Sequence, residues 1–458
     1  MPAGRSKING KVIRIYQEAY VPRRYRKSVA GMMTEALARE KDIRFDGAVP
    51  FIWTGIHWQK ISNADLRTYI RNRISSEDRS RIKSSVFSEV ATRLSEDITL
   101  KVDFEASRAE QEHLINFRNG VFNIRTGEFI TDRSKWLFDY YVDADYIADC
   151  SLKDCPQFMK FIESSAGIEN KDCILRAFGY AISSLLGVRV AVFFVGETSG
   201  GKSTALRLLE SGFASELISH LNFQQLGDRH YVIRLLGKKL NISYDNSGKA
   251  LDNEEIFKSV VACETIEGRA LRENPVEFRP RAKLFYASNK PFVFKHPDLA
   301  LYRRMVVVPF ERSVPPEKQD KHLLEKLVAE KNVIFSLAAR SLKGFIEAGY
   351  DFKMSKQGQA YIESRITALH SGVDFLADRT VLDPNGTVSV AILYDSYRQW
   401  CTDNALDPDE KAEFKETVLS VAPTVEFRKV GPTEKRVWGY HGVRLKTTEE
   451  LFAPAKEN

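Results

Sequence analysis

The chain has 458 residues, 43% of them hydrophobic, so it is too long for one ordinary core and we expect roughly two to four domains. No apolar run approaches the roughly 20 residues that a membrane span needs, and the first residues lack the hydrophobic stretch of a signal peptide. Five scattered cysteines indicate a reducing compartment rather than a disulfide framework, so we expect a cytoplasmic protein of a bacterial host with no membrane partner.

The net charge of +7 is concentrated at the start of the chain, where residues 1–83 hold 18 Lys and Arg against 8 Asp and Glu. We expect residues 1–50 to form a basic N-terminal arm, with its densest cluster at Arg23–Lys27. A phosphate-binding arm and an ordinary solvated surface explain this charge equally well, so charge alone does not decide the function.

A mixed helical and β domain is predicted over residues 51–186. Residues 51–61 have aromatic residues on both sides of Gly55, the pattern of a hairpin, and residues 62–95 are polar and helical. The other elements expected here are a short strand at Val121–Ile124 and helices at Pro156–Ser165 and Lys171–Leu186.

Apolar strands alternate with helices over residues 187–350, which is typical of an α/β domain with a largely parallel sheet. The predicted strands are Val190–Val195, Lys239–Tyr244, Lys283–Ser288 and Met305–Phe310, and a long helical stretch follows to Gly349.

A separate C-terminal module is predicted over residues 365–446. Helices at 388–401 and Lys411–Val421 precede two short strands joined by Gly431-Pro432. This order is typical of a winged helix-turn-helix domain.

A glycine-rich loop follows the first strand of the α/β domain and carries the strongest chemical signal in the chain. Its G-x4-G-K-S pattern is that of a phosphate-binding loop, because glycines let backbone N–H groups converge on phosphate oxygens at a helix N-terminus. Lys202 is expected to reach the β- and γ-phosphates of ATP, and the Ser203 hydroxyl to hold Mg²⁺. The predicted nucleotide-binding residues are Gly196, Glu197, Thr198, Ser199, Gly200, Gly201, Lys202, Ser203 and Thr204.

Three polar positions further along the chain complete a candidate catalytic set. Asp245 ends a strand and is predicted to hold the metal, although a turn aspartate would look the same. Asn289 ends the next strand and is predicted to orient the attacking water, where a plain turn residue is the alternative. Arg303 and Arg304 are predicted to include a finger for a neighbour's ATP, and a surface salt bridge is the alternative.

These motifs occur in order from Gly196 to Arg304, and the stretch resembles the superfamily III helicases. Within them it looks like the poxvirus and phage/plasmid primase-helicase family, in its helicase part without the primase domain. Three more segments extend the resemblance to about residues 50–446. Asn116–Glu128 contains Asn-Gly-Val and Thr-Gly-Glu, and Phe178–Tyr180 ends in Gly-Tyr. Leu393–Trp400 has the pattern Leu-Tyr-x-x-Tyr-x-x-Trp.

The resemblance implies a RecA/AAA+-like P-loop NTPase motor that uses ATP and Mg²⁺. It further implies a hexameric ring that moves 3′-to-5′ on single-stranded DNA during replication of a phage, plasmid or mobile element. The implied partners are single-stranded and forked DNA, further copies of this chain, and a separate primase or origin-binding protein. We expect no primase activity, and we interpret Asp143-Ala-Asp145, which has a primase-like spacing, as structural.

The chain departs from the family pattern in two places. It has Tyr244-Asp245-Asn246 where the family commonly has an acidic pair or glutamate, and Cys263-Glu264 where Gly-Asp is usual. The general-base carboxylate is therefore open, and Glu264 is predicted to compensate.

The segment Glu264–Phe278 matches in position a hairpin that, in this superfamily, projects into the ring channel and grips DNA. Arg269, Arg272 and Asn274 are therefore predicted to contact DNA phosphates. An ordinary salt-bridged surface hairpin is the alternative.

Two other functions fit parts of the sequence. One is an origin-binding initiator or loader that uses ATP as a switch and does not unwind DNA itself. The other is a small-molecule P-loop kinase, which the hairpin and the arginine pair disfavour.

Overall fold

A computed structural model describes residues 28–452, apart from Ser247, Leu271, His296, Val314, Pro316, Lys318, Ala405, Asp407, Pro423 and Thr433. The predicted basic cluster Arg23–Lys27 lies outside the described residues. None of the helices in the described part of the chain combines the length and the hydrophobicity that crossing a membrane requires.

A small N-terminal unit has its own hydrophobic core. Its elements are α1 (Val29–Glu40), β1 (Ile43–Asp46), β2 (Val49–Trp53), β3 (Trp58–Lys60), α2 (Asn63–Arg73), α3 (Ser76–Arg81) and α4 (Ser84–Glu96). The hairpin predicted over 51–61 is confirmed, because β2 and β3 pair antiparallel with Trp53 opposite Trp58. The buried Met33 and Leu37 of α1 lie in the same core as α2 and α4. Residues 29–50 therefore fold into this unit rather than into a separate arm over 1–50.

The next segment joins the N-terminal unit to the α/β core. It contains α5 (Phe104–Glu110), β4 (Leu114–Phe117), β5 (Gly120–Asn123), β6 (Phe129–Ile130), α6 (Pro156–Ser165) and α7 (Lys171–Ile182). Side chains of β4, α6 and α7 share one hydrophobic core with the strands that follow. The predicted domain boundary between residues 186 and 187 therefore falls inside a single core. Asp143 and Asp145 pair with Lys331 and Arg118 at 2.9 and 2.6 Å, which supports their interpretation as structural.

The α/β core is built on a parallel sheet, as predicted, but the sheet has five strands where four were predicted. The strands are β7 (Ala191–Val195), β8 (Ile218–Ser219), β9 (Leu240–Ser243), β12 (Lys283–Ser288) and β13 (Met305–Pro309), in the order β13-β7-β12-β9-β8. Alternate side chains of β7 enter different cores: Val192 and Phe194 enter one, Ala191 and Phe193 the other. Helices therefore cover both faces of the sheet, as a buried parallel sheet requires.

Shorter elements connect these strands. They are α8 (Lys202–Glu210), α9 (Arg229–Val232), α10 (Glu254–Val261), the antiparallel hairpin of β10 (Ile266–Gly268) and β11 (Val276–Phe278), and α11 (Leu299–Tyr302).

The C-terminal part contains the predicted helices and strands together with elements that were not predicted. It consists of α12 (Leu323–Ala329), α13 (Lys331–Glu347), α14 (Lys356–Arg379), β14 (Thr380–Ser389), α15 (Val390–Asp403), α16 (Lys411–Val421), β15 (Glu426–Val430), β16 (Val437–Leu445) and α17 (Thr448–Phe452). Strand β14 pairs with β16 and completes a three-stranded sheet. Helix α14 crosses the predicted boundary at 350–365, because Tyr361 packs on the α/β core and Phe375 on the C-terminal core. The winged helix-turn-helix assignment stays a prediction.

Gly179 permits the close contact between α7 and α13, and this contact generates a stability prediction. A Cβ atom at Gly179 would lie 2.4 Å from the carbonyl oxygen of Ala338. Gly179→Ala should therefore force the helices apart and lower the free energy of unfolding by about 1–3 kcal/mol. Denaturant unfolding followed by circular dichroism measures the change.

Gly344 on α13 supplies the matched control, because the nearest atom to an added Cβ there is Arg176 Nη2 at 3.7 Å. Gly344→Ala should stabilise the protein by about 0.5–1 kcal/mol, since alanine restricts the unfolded chain and favours helix. Equal unfolding midpoints for the two variants would contradict the close contact.

Candidate functional site

The loop between β7 and α8 has a backbone that only glycine tolerates at two positions. Gly196 and Gly201 have φ values of +144° and +91°. A Cβ atom at Gly196 would lie 2.0 Å from the carbonyl oxygen of Phe310, and one at Gly201 would lie 2.8 Å from Ser165 Oγ. The loop is therefore pressed against β13 and α6, and its shape depends on these glycines. Helix α8 begins at Lys202, directly after the loop, so the positive end of its dipole faces the loop.

Lys202 is folded back over its own loop. Its Nζ donates to the carbonyl oxygens of Gly196 at 2.8 Å and Glu197 at 2.6 Å, and the residue is only 7% exposed. Burial lowers the pKa of Lys202, while the carboxylates of Glu197 and Asp245 act in the opposite direction. The ammonium group of Lys202 is therefore bound to carbonyl oxygens of its own loop, and an anionic ligand can replace those acceptors.

The carboxyl ends of β7, β12 and β9 bring the predicted polar residues to this loop. Asn289 follows β12 and its Nδ2 donates to Thr198 Oγ1 at 3.2 Å. Asp245 follows β9; it is exposed, and its charge acts on Lys202. The Ser243 hydroxyl donates to the Asp245 carbonyl at 2.9 Å and fixes the turn that presents the carboxylate. Parallel pairing places all three strand ends on one edge of the sheet.

A cavity of about 490 Å³ opens in front of the loop, a size within the roughly 300–1,000 Å³ range of small-molecule sites. Beside the loop residues it is lined by Gln157, Lys160, Phe161, Ser164, Ser165, Arg207, Gln319, Asp320, Lys321, Leu323 and Leu324. The sequence interpretation missed these residues. Most of them lie on α6 and on the segment that leads into α12, far from the loop in sequence.

The residues of this cavity fit a nucleotide and a magnesium ion. Phe161, Leu323 and Leu324 supply an apolar wall for a base, and the loop amides with Lys202 and Arg207 supply donors for phosphates. The described residues contain no group of three or more His, Cys, Asp and Glu placed to hold a metal. Magnesium at a phosphate site needs only one or two protein oxygens besides phosphate and water. Ser203 lines the cavity, and Asp245 lies at the same edge of the sheet, where its charge acts on Lys202, so these two residues would hold the ion.

Glu264, predicted to assist Asp245, lies elsewhere. Thr265 lines a cleft with Lys239, which precedes β9, and Cys263 lies close enough to Lys283, at the start of β12, to act on the pKa of that lysine. Glu264 is therefore at the amino edge of the sheet, about one strand length or ~13 Å from the carboxyl edge. Within one chain it is not brought to Asp245, so the structure does not support a compensating role in the same site.

The arginine pair also lies at the amino edge of the sheet. The amide of Ala191, the first residue of β7, donates to the carbonyl oxygen of Arg304 at 2.8 Å. The Arg304 Nη1 donates to the Ala300 carbonyl oxygen at 2.7 Å, whereas Arg303 is exposed. Neither arginine is therefore brought to the Gly196–Thr204 loop of its own chain.

The β10–β11 hairpin presents the predicted DNA-contacting residues at its tip. Arg269, Arg272 and Asn274 are all exposed, and Arg269 Nε donates to the Glu273 carbonyl at 2.9 Å. The amide of Arg269 also donates to the carbonyl oxygen of Arg229 on α9 at 3.1 Å.

Helix α9 extends the hairpin surface with groups that the sequence interpretation missed. Arg229, His230 and Tyr231 are exposed there, and His230 Nδ1 lies 3.2 Å from the Arg269 carbonyl. The cue available in the sequence was the run Arg-His-Tyr after Asp228. Its position beside the hairpin depends on the tertiary fold.

Two family models match the chain. Residues 23–165 match the "D5 N terminal like" family, and residues 194–304 match a family of unknown function, DUF5906. The putative helicase L207/L206 of Acanthamoeba polyphaga mimivirus is 23% identical over 363 residues, which is 70% of this chain. The chain spans only 36% of that relative's length.

Solved structures of the NrS-1 C-terminal region are also similar in outline. One apo structure of that region is 12% identical with a TM-score of 0.49, and the match covers 90% of this chain and 98% of that one. A second apo structure is also 12% identical, with a TM-score of 0.47, and the match covers 89% of this chain and 97% of that one. Likeness at this level establishes neither fold nor function. The D5-like match and the helicase relative are the findings that relate this chain to the D5-like primase-helicase proteins.

Proposed function

We propose that the chain is an ATP- and Mg²⁺-dependent DNA helicase that moves on single-stranded DNA as a homohexameric ring. It serves replication of a phage, plasmid, virus or similar element. The observation that carries this proposal is that the Gly196–Thr204 loop, Asp245 and Asn289 lie at one edge of the sheet. Residues 199–204 of the loop also line a cavity of nucleotide size. The putative helicase among the relatives supports the same function.

Each group at the site has a separate part in the proposed hydrolysis. The loop amides and Lys202 hold the phosphates and offset the charge that develops on the oxygens between the β- and γ-phosphates. Ser203 and Asp245 hold the metal ion, which supplies further positive charge to the phosphates. Asn289, held beside Thr198 at 3.2 Å, orients the attacking water with its amide.

The proposed ring follows from the position of the arginine pair. Arg303 and Arg304 lie at the amino edge of the sheet and the phosphate loop at the carboxyl edge, so one chain does not complete its own site. Head-to-tail association brings the amino edge of one subunit to the carboxyl edge of the next, and such contacts form a ring when the rotation closes. Each interface then holds one nucleotide with an arginine from the neighbour.

The second candidate is an origin-binding initiator or loader, which the C-terminal sheet favours. Phe427 and Trp438 stack there at 5.0 Å with an interplanar angle of 9°, and Lys415 lies 4.0 Å from the Phe427 ring centroid. Trp438 is 55% exposed, as a DNA-contacting wing would be. Strand displacement on forked DNA by the purified chain separates the two functions, because a loader does not displace strands alone.

The phosphate site generates a prediction for steady-state ATPase assays. Lys202→Ala should abolish hydrolysis, and Asp245→Asn should remove Mg²⁺-dependent turnover, because each removes a group that stabilises the transition-state charge. Lys343→Ala, an exposed lysine on α13, is the control and should keep normal turnover. Near-normal turnover in Asp245→Asn would show that another carboxylate holds the metal, and Glu197 would be the next residue to test.

The hairpin generates a prediction for DNA binding. Arg269→Ala and Arg272→Ala should each weaken binding to single-stranded DNA and lower the slope of log affinity against log salt by roughly 0.7. Basal ATPase should stay close to normal. Arg93→Ala on α4 is the matched loss of an exposed arginine and should leave the slope unchanged. Unchanged slopes in both hairpin variants would place the hairpin outside the DNA path.

The ring generates a prediction for mixed assemblies. Arg304→Ala subunits should bind ATP but lack the group that completes the neighbour's site, at a cost on the order of 10³ or more in turnover. Mixing them with Lys202→Ala subunits should restore some activity, because certain interfaces regain both groups. Arg303→Ala, mixed in the same way, identifies which arginine is the finger. Mixed rings that stay inactive at every ratio would exclude a finger in trans, and a fully active monomer would exclude the ring.

A further inference from the structure

The N-terminal unit contains a second cleft, separate from the nucleotide cavity and from the β10–β11 hairpin. Its volume is about 550 Å³, and its walls include Trp53, Trp58, Trp136, Lys41 and Arg44. We refer to it as the tryptophan cleft. It contains three of the five tryptophans of the chain, although tryptophan is on average a highly buried residue.

The indole rings of the cleft are arranged as a partly open aromatic surface. Trp53 and Trp58 lie with ring centroids 5.4 Å apart at 49°. Trp58 is nearly buried and supports Trp53, which is half-buried, as is Trp136 on the opposite wall. Trp53 and Trp136 each pack against a small hydrophobic cluster, yet both stay partly exposed and line the cleft.

Positive charge lies beside these rings. The Arg44 guanidinium carbon is 5.4 Å from the Trp58 ring centroid, and Lys41 is exposed at the C-terminal end of α1. Arg44 Nη1 donates to the Ile43 carbonyl oxygen at 3.0 Å and Asp42 acts on its charge, but among the described residues neither Arg44 nor Lys41 forms an ion pair. The one carboxylate of the cleft, Asp132, accepts from the amide of Ser134 at 2.9 Å and is part of a turn.

Hydrogen bonds to backbone carbonyl oxygens hold the walls of the cleft in place. The amide of Trp58 donates to the Phe138 carbonyl at 2.7 Å, and that of Trp136 to the Arg133 carbonyl at 3.1 Å. The buried Arg133 uses its guanidinium to bind the carbonyl oxygens of Ile56, Phe117 and Arg118 at 3.1–3.2 Å. Arg133 is therefore a structural clamp between the two walls, and Lys41 and Arg44 are the cations left for a ligand.

We propose that the tryptophan cleft binds single-stranded DNA, with unpaired bases against Trp53 and Trp136 and phosphates near Lys41 and Arg44. Stacking of bases on aromatic side chains beside basic groups is the usual chemistry of sequence-independent single-strand binding. An apolar ligand would not need the two unpaired cations, and a simple anion would not need the rings. The cleft gives the chain a contact with the unpaired strand that does not depend on ATP or on the hairpin.

Intrinsic fluorescence of the full chain tests the proposal directly, because the proposed ligand stacks on the fluorophores. Oligo(dT) added without nucleotide should quench the tryptophan emission, and Trp136→Leu should remove a large part of the quench. Loss of one stacking ring should weaken binding about tenfold, as measured by anisotropy of a labelled oligonucleotide. Trp136→Phe, which keeps a ring, should retain most of the affinity.

One control variant and two further tests accompany this measurement. Trp400→Phe, in the C-terminal unit, should leave both the quench and the affinity unchanged. Lys41→Ala and Arg44→Ala should each lower the salt slope by roughly 0.7. In a chain that already carries Arg269→Ala and Arg272→Ala, Trp136→Leu should weaken binding by the same further factor, since the two surfaces are independent.

Wild-type affinity in Trp136→Leu, with a native circular dichroism spectrum and unfolding midpoint, would overturn the proposal. If Trp136→Leu unfolds, loss of affinity in Arg44→Ala without loss of stability still supports the cleft, and normal affinity there refutes it. Equal quenching by free dTMP with no oligonucleotide preference would instead identify a mononucleotide site. Oligo(rU) in parallel shows whether the strand must be DNA. None of these outcomes depends on ATP hydrolysis, so they stand apart from the test of the motor.

Discussion

Parallel pairing of β7 with β12 and of β12 with β9 is the constraint on which the proposed chemistry depends. Register places Val195 beside Ser288, and Ser243 beside Tyr286, so the strands end within a few residues of one another. The loop, Asn289 and Asp245 are far apart in sequence and meet only because the strand ends coincide. A shift of one residue in β12 would turn its buried side chains to the other face and move Asn289 away from Thr198.

The opposite edge of the sheet is tied to the preceding segment by an ion pair whose side chains are largely buried, at 13% and 19% exposed. Lys239, which precedes β9, lies 3.6 Å from the Asp139 carboxylate and 3.8 Å from the Tyr140 ring centroid. Burial lowers the pKa of Lys239 to about 8, although Asp139 acts against this. The pKa of Asp139 is held below its usual range by Lys239 and Arg108 in spite of its burial. Removing one partner of such a buried group leaves an uncompensated charge, which costs more than an exposed pair contributes. The contact therefore fixes how the N-terminal segment sits on the sheet.

The two edges of the sheet thus have different roles in the proposed motor. The carboxyl edge holds the phosphate loop, and the amino edge carries Arg303, Arg304 and Glu264. The base of the β10–β11 hairpin also lies near the amino edge, where Thr265 and Phe278 line a cleft with Lys239. In the proposed ring, groups at the amino edge act on nucleotide across a subunit interface. The position of the arginine pair therefore favours an assembly, whereas its sequence alone fits a surface salt bridge equally well.

The sequence by itself predicted the phosphate-binding pattern of the loop and determined most of the elements. Hydrophobic periodicity predicted the strand Lys283–Ser288 and the helices Pro156–Ser165 and Lys411–Val421 with the bounds they have, because their patterns depend on local burial. The Gly-x4-Gly-Lys-Ser pattern located the loop, because few backbones need glycine at those spacings.

Only the tertiary structure decided which residues meet. It places α6 and the segment before α12 beside the loop. It also includes residues 29–50 in a folded unit and α6 and α7 in the α/β core, and it separates Glu264 from Asp245. It also gathered Trp53, Trp58 and Trp136 around one cleft. The physical reason is the same in each case: these contacts join residues remote in sequence, and they are set by which buried faces pack together rather than by any local pattern.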